Sequence, residues 1–389
     1  MKPHTPQLRS FRLKNFKAVR DSGTIHFTPL TAFIGNNGSG KSSIIEGLET
    51  FQAIVEEGLD KAMQQWRGFE HIWHQRDPHR LIDVGVDRPC HTNPMSFDFR
   101  GRTKDRLFKA TMQINMGPGG NEIFIQHERF ATKDQIPLIR DATGVVTFQD
   151  GKFPPGPRRH MSDEQSILKG TLDDFILEWQ FISLIPQAMG MPIPQKRTSG
   201  PVRLTKDGSN IAEYLLSIRK LDQSVFDGIV ETLQYILPYA RDLQPALTSE
   251  LERTVYLQMT EGEFKVPGWL LSTGTLRIVA LLALFRHPTP PPVIIIEEIE
   301  NGLDPRTIHL LVDEIRNAIE SGRTQVILTT HSPYLLDLLD LSHIILVDRV
   351  DGKPTFTRPA DQTSLQEWAK DFSPGRLYTM DLLGRKAGA

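Results

Sequence analysis

The sequence predicts an α/β protein with a mixed, largely parallel sheet, an antiparallel β subdomain and a helical lobe. Three observations carry that expectation. A glycine-rich loop at 35–40 lies between an apolar run, Leu30 to Ile34, and a stretch with apolar residues at helical spacing. From 270 onward, helix-length and strand-length apolar runs alternate, as βαβ units on a parallel sheet require. Between about 81 and 150, short alternating runs are separated by Gly, Pro and Asn at hairpin spacing.

Each element follows in order. Phe11, Leu13 and Phe16 punctuate a basic first strand, Ile25 and Phe27 mark a second, and Leu30 to Ile34 a buried third. After Lys41, the residues Ile44, Ile45, Leu48, Phe51, Ile54 and Val55 fall on one helical face that stops at Gly58. MSFDF, RLFKATMQINM, NEIFIQHERF and GVVTFQD read as hairpin strands, and GKFPPGPRRH as a loop. Residues 161 to about 262 read as mainly helical, with DDFILEWQFISLI, NIAEYLLSIRKL and SVFDGIVETLQYILPYA the strongest periods and Pro186, Pro192, Pro194 and Pro201 as breaks. TLRIVALLALF, VIII, RTIHLLVDEIRNAI, QVILTT, PYLLDLLD and HIILVD then alternate helix with strand. The expected boundaries are 1–90, 91–155, 156–262 and 263–389, with no internal repeat or low-complexity tract.

Composition excludes several classes. The 39% hydrophobic and 24% charged fractions are ordinary for a globular protein and rule out general disorder. Forty-five Lys and Arg against 47 Asp and Glu give a formal charge of −2, so any nucleic-acid contact is expected to be local. The single cysteine, Cys90, excludes an intramolecular disulfide and fits a reducing cytoplasm. No apolar run approaches the roughly 20 residues of a spanning helix. The opening MKPHTPQLRS has no apolar core of a secretory signal, so a cytoplasmic protein is expected.

Gly35-Asn36-Asn37-Gly38-Ser39-Gly40-Lys41-Ser42 matches G-x-x-x-x-G-K-[ST] at every fixed position, with Ser43 beside it. Glycines let backbone N–H groups converge on phosphate oxygens, and the helix N-terminus adds a favourable dipole. Lys41 supplies a point charge for the β and γ phosphates, and the Ser42 hydroxyl a ligand for Mg²⁺. Downstream, the apolar strand Val293 to Ile296 ends in Glu297-Glu298, followed by Glu300, Asn301, Gly302, Leu303, Asp304 and Pro305. Two carboxylates at a strand tip are costly unless they meet a cation or a polarised water. In a chain with a phosphate loop, one carboxylate would serve the metal and the other the attacking water.

Leu271-Ser272-Thr273-Gly274-Thr275 opens the helix before that strand, so Ser272 and Gly274 mark a second helix-N-terminal anion site. One nucleotide cannot use two such sites in the same place, which implies a nucleotide shared between two protomers. Thr329-Thr330-His331-Ser332-Pro333 follows QVILT and places His331 at a sheet edge. Alone, Ser272 would be an ordinary N-cap and His331 a loop histidine; their order and spacing with the other motifs favour the functional reading.

This set resembles the ABC-type ATPases of the SMC, RecF and OLD kind, those without a long coiled coil. Leu13-Lys14-Asn15-Phe16-Lys17 resembles their opening strand, GNNGSGKSS the Walker A motif, LSTGTLR the signature, IIIEEIENGLDP the Walker B motif and D-loop, and TTHSPYLLD the switch-histidine segment. LTKDGSNIAEYLLSI resembles a further shared segment, so the likeness covers nearly the whole chain. The resemblance implies a P-loop head with ATP and Mg²⁺: Gly35 to Ser43 and Lys17 beside the phosphates, Glu297 completing the Mg²⁺ shell, Glu298 as general base and His331 sensing the γ-phosphate. It implies Ser272 and Gly274 capping the nucleotide of the opposite protomer and Asp304 at the seam of a head-to-tail homodimer. Three positions depart from the family pattern: Glu297 stands where Asp is usual, Ile299 where Pro is frequent, and Thr273 where transporters have Gly. The Q-loop glutamine is left between Gln126 and Gln180.

The insertion of about 200 residues lacks the sustained heptads of a long-armed factor. The 58 residues after His331 are fewer than an appended OLD-type nuclease domain needs. His71, His74, His79 and Asp77 form a poor metal-ligand spacing. Basic residues gather at Arg100, Arg102, Lys104, Arg106 and Lys109, at Arg158 and Arg159, and at Arg9, Arg12, Lys14, Lys17 and Arg20, and a solvated face is the plainer account of them. The leading expectation is an ATP-driven dimeric switch, with higher assembly open, acting on a separate effector in an anti-phage or toxin system. A RecF-like DNA clamp is the alternative, and a nuclease using the histidines a third.

Overall fold

The computed structural model describes residues 7–74, 81–83, 89–103, 106–117, 120–148, 158–198, 200–248 and 252–383. His79, Asp77 and Lys104 lie outside the described residues. The chain divides into two compact units, Met1–Trp179 with Asp340–Ala389, and Gln180–Leu339.

The first unit is built on an antiparallel sheet whose spatial order is Arg159–His160, Val145–Phe148, Leu138–Arg140, Ile123–Thr132, Leu107–Met116, Met95–Arg102, Gln7–Phe16 and Val19–Asp21, with Ile25–His26 also on Gln7–Phe16. Along Gln7–Phe16 the residues Leu8, Phe11, Leu13 and Phe16 are buried, with a register shift between Leu8 and Ser10 interrupting strict alternation. The helix Lys41–Glu57 lays Ile44, Leu48, Phe51 and Val55 against this face. Phe51 meets the rings of Phe97 at 5.8 Å and Phe99 at 4.5 Å. A β-carbon on Gly47 would stand 2.6 Å from a Leu13 methyl, so the helix lies close on the strand. Separately, the fully buried strand Leu30–Ile34 pairs in parallel with Ile344–Val350, which turns back antiparallel along Lys353–Thr357.

A fully buried ionic clasp ties the antiparallel sheet to the segment after it. Glu128 accepts from the Ser166 hydroxyl at 2.5 Å and the Ile167 N–H at 3.1 Å, and lies 3.5 Å from Arg140. Arg140 donates to the carbonyls of Gln165 at 2.5 Å and Ser162 at 2.9 Å. Burial pushes the Glu128 carboxyl above its ordinary range, opposed by those donors.

In the second unit, Gln180–Ile182, Val293–Ile296 and Gln325–Thr330 pair in parallel in that order. The helix Thr273–Arg286 is apolar around most of its circumference and accordingly buried, whereas Pro305–Glu320 is amphipathic. Arg286 joins them with a two-pronged bond to Glu314 at 2.5 and 2.8 Å and donates to Gly228 O at 2.7 Å. Helices Ile211–Leu221 and Gln223–Ile236 pack beside an antiparallel sheet of Ala240–Leu247, Thr254–Glu261, Phe264–Pro267 and Ile193–Pro194.

That sheet corrects the expectation of a mainly helical 161–262. Val255, Leu257 and Met259 point inward between half-exposed Thr254, Tyr256 and Gln258, a period of two. DDFILEWQFISLI likewise holds only the short helix Asp173–Ile176 before the strand Gln180–Ile182. No helix among the described residues is long and apolar enough to cross a membrane.

Candidate active site

In the first unit, the buried strand Leu30–Ile34 delivers the chain into the glycine loop and then the helix Lys41–Glu57. Two glycines are required by close approach. A β-carbon at Gly35 would fall 2.0 Å from Val347 O, and one at Gly40 would stand 3.0 Å from Pro354 while φ is +117°. No side chain among the described residues caps the helix N-terminus at Gly40. Asn36, Asn37 and Gly38 are exposed, as is Ser42 in the first helical turn, while Ser39 and Ser43 are buried. The buried Lys41 folds its ammonium back onto Gly35 O at 2.6 Å and Asn36 O at 3.1 Å, which fixes the loop's curvature. This open helix N-terminus, with a lysine and a hydroxyl in its first turn, fits a nucleotide's phosphates with Mg²⁺.

Lys17 occupies a left-handed backbone position (φ +48°), and its ammonium is held by Glu46 at 2.8 Å over the Trp66 ring at 3.7 Å. Trp66 in turn donates to Thr50 Oγ1 at 2.9 Å, so Lys17, Glu46 and Trp66 form one group on the loop's helix. Sequence reading found Lys17 but not its two partners. Tyr378 hydroxyl lies 3.4 Å from Asn36 Oδ1, a contact 342 residues apart in sequence that no local motif announces.

In the second unit, the strand Val293–Ile296 ends where the Glu297 N–H donates to Ile182 O at 2.9 Å. Glu298 then takes φ +47°, a conformation side chains disfavour, and its N–H donates to Thr329 Oγ1 at 2.9 Å. That turn places the half-exposed Glu298 carboxylate 3.8 Å from His331 Nε2 and in a hydrogen bond with Asn301 Nδ2. The His331 N–H donates to Glu300 Oε1 at 2.5 Å. Structure therefore brings Glu298 and His331 together and adds Thr329, Glu300 and Asn301 as positioning groups. The Thr-Thr pair before His331 was their available signal.

Ser272 caps the helix Thr273–Arg286, accepting from the Thr275 N–H at 3.1 Å. Gly274 is demanded by packing: its β-carbon would lie 2.9 Å from Gly302 O, so the signature and D-loop backbones touch. Asp304 caps Pro305–Glu320, accepting from the N–H groups of Arg306 at 3.0 Å and Thr307 at 3.2 Å. The Thr307 hydroxyl, at 2.5 Å, is the main reason the Asp304 carboxyl is held below its ordinary range. Arg277, one turn after Gly274, donates to Leu184 O at 3.0 Å; burial lowers its guanidinium's pKa, opposed by the charge of Glu298. Of the Q-loop alternatives, Gln180 donates to Leu204 O and Gln126 accepts from Asn115. His74 Nδ1 contacts Lys17 O at 2.7 Å, and no cluster of three metal-ligating side chains occurs among the described residues.

A glycine loop opening a helix N-terminus, and a parallel strand ending in paired carboxylates beside a histidine, are the parts a P-loop hydrolase requires. A family model described as "AAA ATPase domain" matches residues 7–77, and one described as "AAA domain, putative AbiEii toxin, Type IV TA system" matches 188–337. The chain is 21% identical over 347 residues to an ATP/GTP phosphatase of Helicobacter pylori, covering 86% of this chain and 87% of that protein. It is 22% identical over 393 residues to an OLD nuclease of Thermus scotoductus, covering 95% and 68%. Among solved structures, an Smc head bound to the C-winged helix domain of ScpA aligns with TM-score 0.54 at 17% identity, covering 90% of this chain and 96% of that one. An Smc head with an extended coiled coil, bound to the C-terminal domain of ScpA from Pyrococcus furiosus, aligns at 0.52 and 15%, covering 94% and 100%. The fold is that of the SMC ATPase heads. The chain is an ATPase, and these likenesses together support one of the SMC/RecF/OLD-like ABC type.

Proposed function

We propose that this ATPase is a nucleotide-dependent dimeric switch: two copies join head to tail around ATP, hydrolysis releases them, and a separately encoded effector reads the state. The observation that carries this is the presence in one chain of two prepared helix N-termini, Lys41–Glu57 behind its glycine loop and Thr273–Arg286 behind Ser272 and Gly274. A γ-phosphate lying between one copy's loop and its partner's signature would use both. The toxin–antitoxin description of the model matching 188–337 supports an effector of the toxin or nuclease kind, as in anti-phage systems.

In this reading Lys41 and the loop N–H groups from Gly35 to Ser43 hold the phosphates. The Ser42 hydroxyl and Glu297 would hold Mg²⁺, which neutralises charge on the phosphate oxygens. Glu298 takes a proton from the water whose oxygen bonds to the γ-phosphorus, while the bond to the ADP oxygen breaks. His331 is oriented by Glu300 through its backbone, Lys17 adds positive charge, and Asp304 fixes the D-loop at the seam. The test is solution mass and phosphate release for wild type and Glu298→Gln, with and without Mg-ATP. A dimer held by ATP in a hydrolytically dead Glu298→Gln protein supports the switch; a chain that binds ATP yet stays monomeric in both forms overturns it.

One observation favours a second reading, duplex DNA docking as in RecF-like clamps. Adjacent strands align Arg12, Arg100, Lys109 and Arg129 on one sheet face, with Arg100 between Ser10 and Lys109; Arg12, Arg100 and Lys109 line a groove of about 330 Å³ together with Asp98. Arg12 is engaged by Asp21 at 2.6 Å, whereas Arg100 and Lys109 meet no carboxylate among the described residues. If DNA binds there, substituting Arg100, Lys109 and Arg129 with Gln flattens the salt dependence of binding by roughly 0.9 per lost phosphate contact. An unchanged slope removes the sheet face as the site.

A further inference from the structure

His287 caps the C-terminal end of the signature helix Thr273–Arg286 and is 6% exposed. Its ring stacks on Tyr214, with centroids 5.1 Å apart and planes 16° from parallel. Nδ1 faces Thr289, 3.1 Å from its N–H and 2.9 Å from its carbonyl. Nε2 is buried, with no hydrogen-bond partner among the described residues.

The same histidine lines a cavity of about 410 Å³. One wall is helix Ile211–Leu221, contributing Leu216, Ser217 and Lys220; the other is the loop carrying Pro201 and Val202. The loop is tied down: the Lys196 N–H donates to Glu213, Lys196 Nζ donates to Pro201 O at 3.3 Å, and the Gln195 N–H donates to Arg253 O at 3.0 Å. An apolar hollow of a few hundred Å³ with a few convergent polar groups is what a small-molecule site requires. Lys220 is exposed and carries no ion pair among the described residues, and Lys196 adds a second cation against the single carboxylate of Glu213.

We propose that this cavity is a binding site for a small apolar acid, its body against Pro201, Val202, Leu216 and the His287 ring and its acidic group beside Lys220 and Lys196. Burial, which lowers the imidazole's pKa, keeps the ring neutral at neutral pH. The site belongs to no part of the hydrolytic machinery, and its occupant would sit at the opposite end of the signature helix from Ser272.

The experiment uses the full chain without nucleotide, so its result is independent of the switch. Anilinonaphthalene sulfonate, an apolar ring system with an anionic group, is titrated while its fluorescence is followed, together with the imidazole resonances of ring-labelled histidines. Expected are saturable binding of one probe per chain and a shift of the His287 resonance. Ser217→Trp, which fills the cavity from a half-exposed position, abolishes both. Lys220→Glu, an exposed change that leaves the fold intact by thermal melting, weakens binding about tenfold. Absence of saturable binding overturns the proposal, as does binding that both variants leave unchanged, the mark of a probe adhering elsewhere.

Discussion

Glu298 combines a disfavoured backbone angle with a carboxylate held near His331, and the two features are linked: φ +47° is what turns the side chain off the strand. Replacing it with Gly relieves a conformational cost of about 1 kcal/mol. Glu298→Gly should therefore melt at or slightly above the wild-type temperature while phosphate release disappears; a marked loss of stability would mean the turn is not strained. Asp304 makes a pH prediction. Its folded carboxyl is held below the ordinary range, so its stabilising effect is complete above the unfolded carboxylate pKa and is lost as pH falls through the lowered folded value. Asp304→Asn should flatten the acid limb of a stability profile and leave the neutral region little changed, since Asn also caps helices. These residues were legible because motif chemistry names them. Their positioning partners were not: Thr329 reaches Glu298 across 31 residues of sequence, and Tyr378 reaches Asn36 across 342.

Among the elements, the buried Glu128–Arg140 clasp joins the antiparallel sheet to the segment 162–167 through five polar contacts of 3.5 Å or less. Removing one partner leaves a buried charge alone. Arg140→Met should cost about 3–5 kcal/mol in denaturant unfolding, and adding Glu128→Leu should recover much of that loss. Equal costs for single and double variants would show that packing, not charge, sets the penalty. Elements with one strong period were readable from sequence: every apolar residue expected on the face of Lys41–Glu57 is buried. Ala240–Leu247 and Thr254–Glu261 were missed because the long helical period before them was carried forward past Leu237. The alternation of Val255, Leu257 and Met259 signalled a strand, and it spans only eight residues.

At the scale of the whole molecule, a head-to-tail dimer makes a prediction that a monomeric enzyme does not. Lys41→Ala disables the loop and Ser272→Arg the signature, and each alone should be inactive. Mixed in equal amounts, half the dimers are hybrids, and each hybrid owns one intact loop facing one intact signature. Phosphate release should return to about a quarter of the wild-type level. No recovery on mixing would remove the shared-nucleotide arrangement. The architecture itself was largely visible in sequence, since phosphate loop, signature and acidic strand end occur in order among alternating helix-length and strand-length apolar runs. What local patterning does not encode is the register of the antiparallel sheet, which gathers Arg12, Arg100, Lys109 and Arg129 from four strands onto one face.

The ammonium of Lys17 lying 3.7 Å over the indole of Trp66 also makes the molecule its own optical gauge. A positive charge at that distance perturbs the indole's excited state, so emission depends on where Lys17 rests. Any event that draws the lysine from Glu46 toward a phosphate would shift the colour of one of only five tryptophans. Nucleotide arrival could then be timed in the unlabelled protein, with Trp66→Phe as the blank and Lys17→Met as the fixed reference.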